Sequence, residues 1–121
     1  MRRISMILFL LSSLTQIAIA EPQHAGILGI GAATCAEFAA AYKQTPELTE
    51  AVYYTWAQGF MTGQNSIAFK NKEKVFDFEH LNQNDQKFFL RSFCDQHPLA
   101  IFVQAVLDLI NRLPKRVPQS N

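Results

Sequence analysis

From Leu99 to Leu113 the chain reads LAIFVQAVLDLINRL, with apolar residues at 99, 102, 103, 106, 109, 110 and 113. Those positions lay one stripe of side chains along a helix of 3.6 residues per turn. A helix that is apolar on one side must lie on something, so this stretch commits the chain to a packed helical core. Pro114 ends it. His97-Pro98 is expected to open it, with proline at the first helical position, where its missing amide is harmless.

Three further helices supply the surface for it. The first opens on a capping box, with Thr34 as N-cap and Glu37 three residues on, and runs through CAEFAAAYK to about Gln44. The second starts at Thr45-Pro46, a threonine cap before a proline at N1, and is expected from Glu47 to about Asn65. The third begins at Asn82, carries Asp85 in its first turn and runs through DQKFFLRSFCDQ. Leu90 and Cys94 are four apart within it, so the cysteine faces inward. The expected fold class is therefore all-α: a small four-helix domain over 34–114, with a polar tail at 115–121.

The second helix contains Gly59 and Gly63, each costing roughly 1 kcal/mol against alanine in a helix interior. Ala51, Thr55, Gly59 and Gly63 recur every four residues as a stripe of small residues, and Val52, Trp56 and Phe60 line the adjoining stripe. Thr55, Gly59 and Gly63, flanked by Trp56 and Phe60, are thus expected to be a helix-packing face where a neighbouring backbone approaches closely. Gln58, Gln64 and Asn65 make this helix too polar for a membrane dimer of the G-x-x-x-G kind.

The first twenty residues read as a signal peptide. Arg2 and Arg3 precede an apolar run that ends in Ala18-Ile19-Ala20, so cleavage is expected between Ala20 and Glu21. No stable membrane anchor then remains, and the protein is expected in the periplasm or secreted. Residues 21–33 read as a flexible leader. The remaining 121 − 20 = 101 residues carry nine Lys+Arg against ten Asp+Glu, a near-neutral balance that excludes nucleic acid as an electrostatic partner. The only cysteines, Cys35 and Cys94, are an even pair in an exported chain and read as a disulfide.

No catalytic or metal-binding pattern emerges. His24, His80 and His97 have no second ligand three or four residues away, and no nucleophile motif is present. Glu47 and Glu50 share a helix face near its N-terminus, where acids serve the dipole. Neither enzymatic activity nor a cofactor is expected. What remains is protein binding. The connection from Ser66 to Leu81 is longer than the usual helix–helix link of about 2–8 residues and contains VFDFEH. Its Phe76, Asp77, Phe78 and Glu79 alternate aromatic and acidic side chains, as suits an anchored plug with a polar rim, and are the candidate partner-binding residues. The alternative is a hydrated loop whose phenylalanines fold back onto the core.

The order T-C-A-E-F, Y-x-x-W-A-Q-G-F-M-T-G, F-C-D-Q-H-P, then V-x-x-x-L closing on L-P resembles the Tai immunity family. Those are small exported helical proteins that protect bacteria against type VI amidase effectors. The likeness spans Thr34 to Pro114 and implies a partner that is a toxin. The placement of Cys35 and Cys94 is also similar to that in the HdeA group of periplasmic acid chaperones, which implies an unfolded client instead. In acid the ten carboxylates would neutralise and leave nine Lys+Arg and three His, about +12 in all. Self-repulsion on that scale could loosen the domain. A second copy of the chain and a structural role in the envelope are further candidates.

Overall fold

A computed structural model describes residues 26–119; the expected signal peptide and its expected cleavage point lie outside them, as does His24. The described chain forms a 3-10 turn (Gly29–Ala32), α1 (Cys35–Gln44), α2 (Pro46–Lys70), β1 (Val75–Phe76), α3 (Gln83–Gln96), α4 (Phe102–Arg112) and β2 (Lys115–Arg116). It is an all-helical fold with one two-residue antiparallel pairing, Val75 opposite Arg116 and Phe76 opposite Lys115. Four helices and a Cys35–Cys94 disulfide are as the sequence leads one to expect.

The core forms where the apolar face of α4 meets α2 and α1. Phe102, Val106 and Leu109 are fully buried, and the rings of Phe38, Tyr53 and Phe102 pack with centroids 4.8–5.6 Å apart. Edge-to-face contacts like the two made by Tyr53 add to the apolar area that they bury. The disulfide joins the start of α1 to the end of α3 with both cysteines buried and their Cα atoms 4.7 Å apart.

The N-terminal end of α1 is satisfied twice over. Glu37 Oε2 accepts the Thr34 amide at 2.6 Å while Thr34 Oγ1 accepts the Glu37 amide at 3.2 Å, the reciprocal capping box. The amides of Cys35 and Ala36 donate to the carbonyls of Ala100 and Pro98, and Phe102 donates to Ala33. That pairing corrects the expected start of α4. Residues 98–101 lie beside the entry of α1 as a short irregular segment, and the helix starts at Phe102 with the Gln104 side chain accepting the Ile101 amide. Leu99, outside the helix, is 91% exposed; the other six positions of the apolar stripe are buried.

The small-residue face of α2 is a second correction. Thr55, Gly59 and Gly63 point to solvent together with Ala51, and a Cβ added at either glycine would meet nothing within 4 Å. The helix turns inward the opposite side, Tyr53, Tyr54, Ala57 and Met61, because those side chains remove far more apolar area from water than the small stripe could. Of the expected packing residues, Trp56 and Phe60 do pack, stacked on each other with centroids 5.4 Å apart and set against the core. The close approach occurs elsewhere. At Gly31 a Cβ would stand 2.7 Å from Trp56 Cε2 and closer still to two other ring carbons, so only glycine fits beneath the indole. Residues 29–32, expected within a flexible leader, are therefore a docked part of the domain that touches α2 and α4.

Elsewhere α2 runs five residues past Asn65 to Lys70, since nothing in Ser66-Ile67-Ala68-Phe69-Lys70 opposes a helix. Thr45 caps it by position only; its hydroxyl pairs with that of Thr49 at 3.1 Å. The expected polar tail contributes β2.

Candidate functional site

The long connection between α2 and α3 is held at every few residues. It leaves α2 through a Schellman turn: Glu73 donates to the Ala68 carbonyl, Lys72 donates to the Phe69 carbonyl, and Lys72 itself adopts φ 58°. No glycine marks the turn, so the sequence offers no sign of it. The Asn65 side chain then meets the Phe76 backbone as if it were a neighbouring strand. Its Nδ2 donates to the Phe76 carbonyl at 2.9 Å and its Oδ1 accepts the Phe76 amide at 2.8 Å. On the other side of β1, Asp77 donates to the Pro114 carbonyl at 2.8 Å.

Gln86 on α3 closes the arrangement. It is buried, and its Nε2 donates to the carbonyls of Phe78 and Leu81 at 2.9 and 2.8 Å. Its Oε1 accepts from the Tyr54 hydroxyl at 3.0 Å, so three of its four hydrogen-bonding positions are used. Burial raises the Tyr54 pKa above its usual value of 10.0, and a hydrogen bond to Gln58 offsets part of that shift. The phenol thus stays protonated and serves as the donor to Gln86. Neither clamp has a sequence signature: an asparagine near a helix end and a glutamine within a helix read as ordinary surface residues until the fold brings their partners to them.

The candidate partner-binding residues occupy this pinned segment. Phe76 and Phe78 stack with centroids 6.4 Å apart and are half-buried, packed against the core. Lys115 lies over the Phe76 ring at 4.7 Å. The Asp77 carboxylate is 3.8 Å from Arg116 Nε and accepts the Glu79 amide at 3.3 Å. Glu79 and its neighbour His80 remain exposed.

Two of the four, Phe78 and Glu79, form one wall of a groove together with Leu81. Phe78, Glu79 and Leu81 face Tyr54, Gln58 and Met61 of α2 across an open cleft of about 440 Å³. Its inner surface is apolar, and Gln58, Thr62, Glu79, Asn82 and Gln83 ring it with neutral and acidic hydrogen-bonding groups. Because Asn65 and Gln86 fix the wall, little ordering remains to be done when something enters.

The other residues considered for chemistry are placed apart. Glu50 forms ion pairs with Arg91 and Lys87 of α3, whereas Glu47 is exposed. His97 stacks on Phe93 and lies 2.8 Å from its carbonyl through Nδ1. Among the described residues, no three His, Cys, Asp or Glu side chains come together as metal ligands. None of the described helices is long and apolar enough to cross a membrane. Comparison with protein families, with curated proteins and with solved structures returns no match to this chain.

Proposed function

We propose that the chain is an exported binding protein without catalytic activity, of the immunity kind that its motif order resembles, and that it holds a segment of a toxin in the groove beneath Phe78. The groove carries this reading. An apolar floor formed by Tyr54, Met61, Phe78 and Leu81, ringed by polar side chains, has the anatomy of a protein-binding hot spot. Its wall is fixed in advance by Asn65 and Gln86. The partner therefore inserts into this protein, the reverse of a plug formed by Phe76 and Phe78. The Cys35–Cys94 disulfide supports export to an oxidising compartment, which the signal sequence cleaved between Ala20 and Glu21 would provide.

The test is co-expression with the toxin candidate encoded by the adjacent gene, read as survival and as co-purification from the periplasm. Wild-type protein should protect and co-purify; Gln58→Arg and Gln83→Arg, which crowd the rim without touching the core, should do neither. Protection that is indifferent to both substitutions would remove the groove from the mechanism, and absence of any protection would remove the immunity reading.

One observation favours a second reading, an acid-activated holdase. Glu50 ties α2 to α3 through Arg91 and Lys87, and protonating it would release that tie while leaving both cations. Loss of near-UV circular dichroism near pH 3, below the ordinary carboxylate range of about 4, together with suppression of client aggregation, would support the holdase. A domain that stays compact and inert there would exclude it.

A further inference from the structure

The groove beneath Phe78 is selective in what its floor leaves unpaired. Both Nε2 hydrogens of Gln86 go to the Phe78 and Leu81 carbonyls, and the Tyr54 hydroxyl goes to Gln86 Oε1. These donors are spent within the fold. Gln86 Oε1 accepts that one hydrogen bond, whereas a side-chain amide oxygen has room for two. What Gln86 offers an incoming group is therefore an acceptor.

Charge points the same way. Glu79 is exposed, is the one acidic or basic side chain (Lys, Arg, His, Asp or Glu) in the lining, and forms no ion pair with a described residue. Asp85 adds a second carboxylate beside the rim, where its Oδ2 accepts from the side-chain nitrogen of Asn82 at 2.6 Å. Lys87 does reach the Tyr54 ring, 5.3 Å from its centroid. It stands outside the lining, however, and lies 3.8 Å from Glu50, which offsets it. An unpaired carboxylate over an apolar floor repels an acidic segment and attracts a basic one.

Shape narrows the choice between the two basic side chains. Tyr54 and Phe78 bring aromatic rings to the groove, beside Met61 and Leu81. Lysine ends in a compact, strongly hydrated ammonium. Arginine ends in a flat, weakly hydrated guanidinium that stacks on aromatic faces and holds five donors in one plane. Its methylene stem also buries against apolar surface while the head stays at the rim.

We infer that the groove seats an arginine side chain of the partner, with the guanidinium donating to the Glu79 carboxylate and to Gln86 Oε1. The inference rests on this groove being the binding site proposed above, and it adds the chemistry of what enters: a basic loop with an arginine between apolar residues.

The probe is the end-blocked peptide acetyl-Gly-Leu-Arg-Leu-Gly-amide, titrated into the isotope-labelled mature protein and followed by two-dimensional NMR. Saturable shifts are expected at the Gln86 side-chain amide and at the backbone amides of Glu79, Leu81 and Gln83, weakening as salt is added. Glu79→Gln, an exposed change that removes only the charge, should bind about fivefold more weakly. The peptide with citrulline, the neutral isostere of arginine, should bind about tenfold more weakly, and the lysine peptide should also fall short of the arginine one. No binding of the arginine peptide, shifts confined to other parts of the domain, or equal binding of the citrulline or lysine peptide overturns the inference. Co-expression with the toxin separates it from the broader reading. If Glu79→Lys protects as well as wild type while Gln58→Arg does not, the groove stands and the arginine falls. If no chain protects yet the peptide binds as described, the immunity reading falls and the arginine seat stands.

Discussion

The Asn65 side chain and the Phe76 backbone exchange two hydrogen bonds, so one side-chain amide serves as the missing neighbour of a two-residue strand. With Gln86 and the pairing to β2, that contact holds the segment from Val75 to Leu81 in place. Asn65→Ala leaves a partly buried N–H and C=O without partners and is expected to destabilise the fold by about 2 kcal/mol. Urea unfolding measures the loss, and faster hydrogen exchange at the Phe76 amide locates it. An unchanged exchange rate would mean that the segment is held by other contacts.

The glycines should separate by location. Gly59→Ala and Gly63→Ala face open solvent and are each expected to stabilise by about 0.5–1 kcal/mol, the ordinary helix-propensity gain. Gly31→Ala drives a methyl into the Trp56 ring and is expected to destabilise by about 1–3 kcal/mol. Chemical denaturation of the three variants decides, and a loss at Gly59 or Gly63 would return that face to the core.

Lys72 ends α2 with φ 58°, a conformation that suits glycine better than lysine. Lys72→Gly is expected to raise stability by a few tenths to about 1 kcal/mol. The thermal midpoint checks this, and a fall would mean that the lysine side chain makes a contact worth more than the backbone strain it imposes.

Replacing Cys35 and Cys94 together by alanine opens a link across 59 residues, and the chain-entropy value for such a loop is about 4 kcal/mol. A domain this small has little stability beyond that, so the double variant is expected to be largely unfolded on warming, as far-UV circular dichroism would show. A variant as heat-stable as wild type would contradict this.

Hydrogen bonds from the Thr34 backbone, and secondarily from its hydroxyl, hold the Glu37 pKa below its usual value of 4.5. The carboxylate's contribution is therefore present in full above that value and disappears as pH falls through the lower, folded-state pKa. Glu37→Gln keeps a side chain that can reach Thr34 but cannot titrate. The stability gap between wild type and this variant is expected to narrow on acidification below pH 4.5. A gap that stayed constant would assign the effect to shape alone.

Legibility in the sequence followed the distance over which each cause acts. The Thr34–Glu37 capping box and the Asn82 cap are local, and both are present. The apolar stripe of α4 is legible for the same reason, apart from Leu99, because the carbonyls around it are claimed by α1 amides some sixty residues earlier in the chain. On α2 two faces competed. The regular spacing of Gly59 and Gly63 suggested packing, but the area offered by Tyr53, Tyr54 and Met61 decided which side turned inward. The candidate site was half legible. Phe76–Glu79 marks the segment, while the amides of Asn65 and Gln86 that shape it acquire their meaning only from partners that lie between 5 and 32 residues away.

The seat of Trp56 on Gly31 has a practical consequence. It is the sole tryptophan of the chain, so indole emission comes from one place, the point where the first described residues dock on the helices. Its wavelength and quenching by iodide give a built-in optical gauge of whether that entry segment is seated, with no label attached.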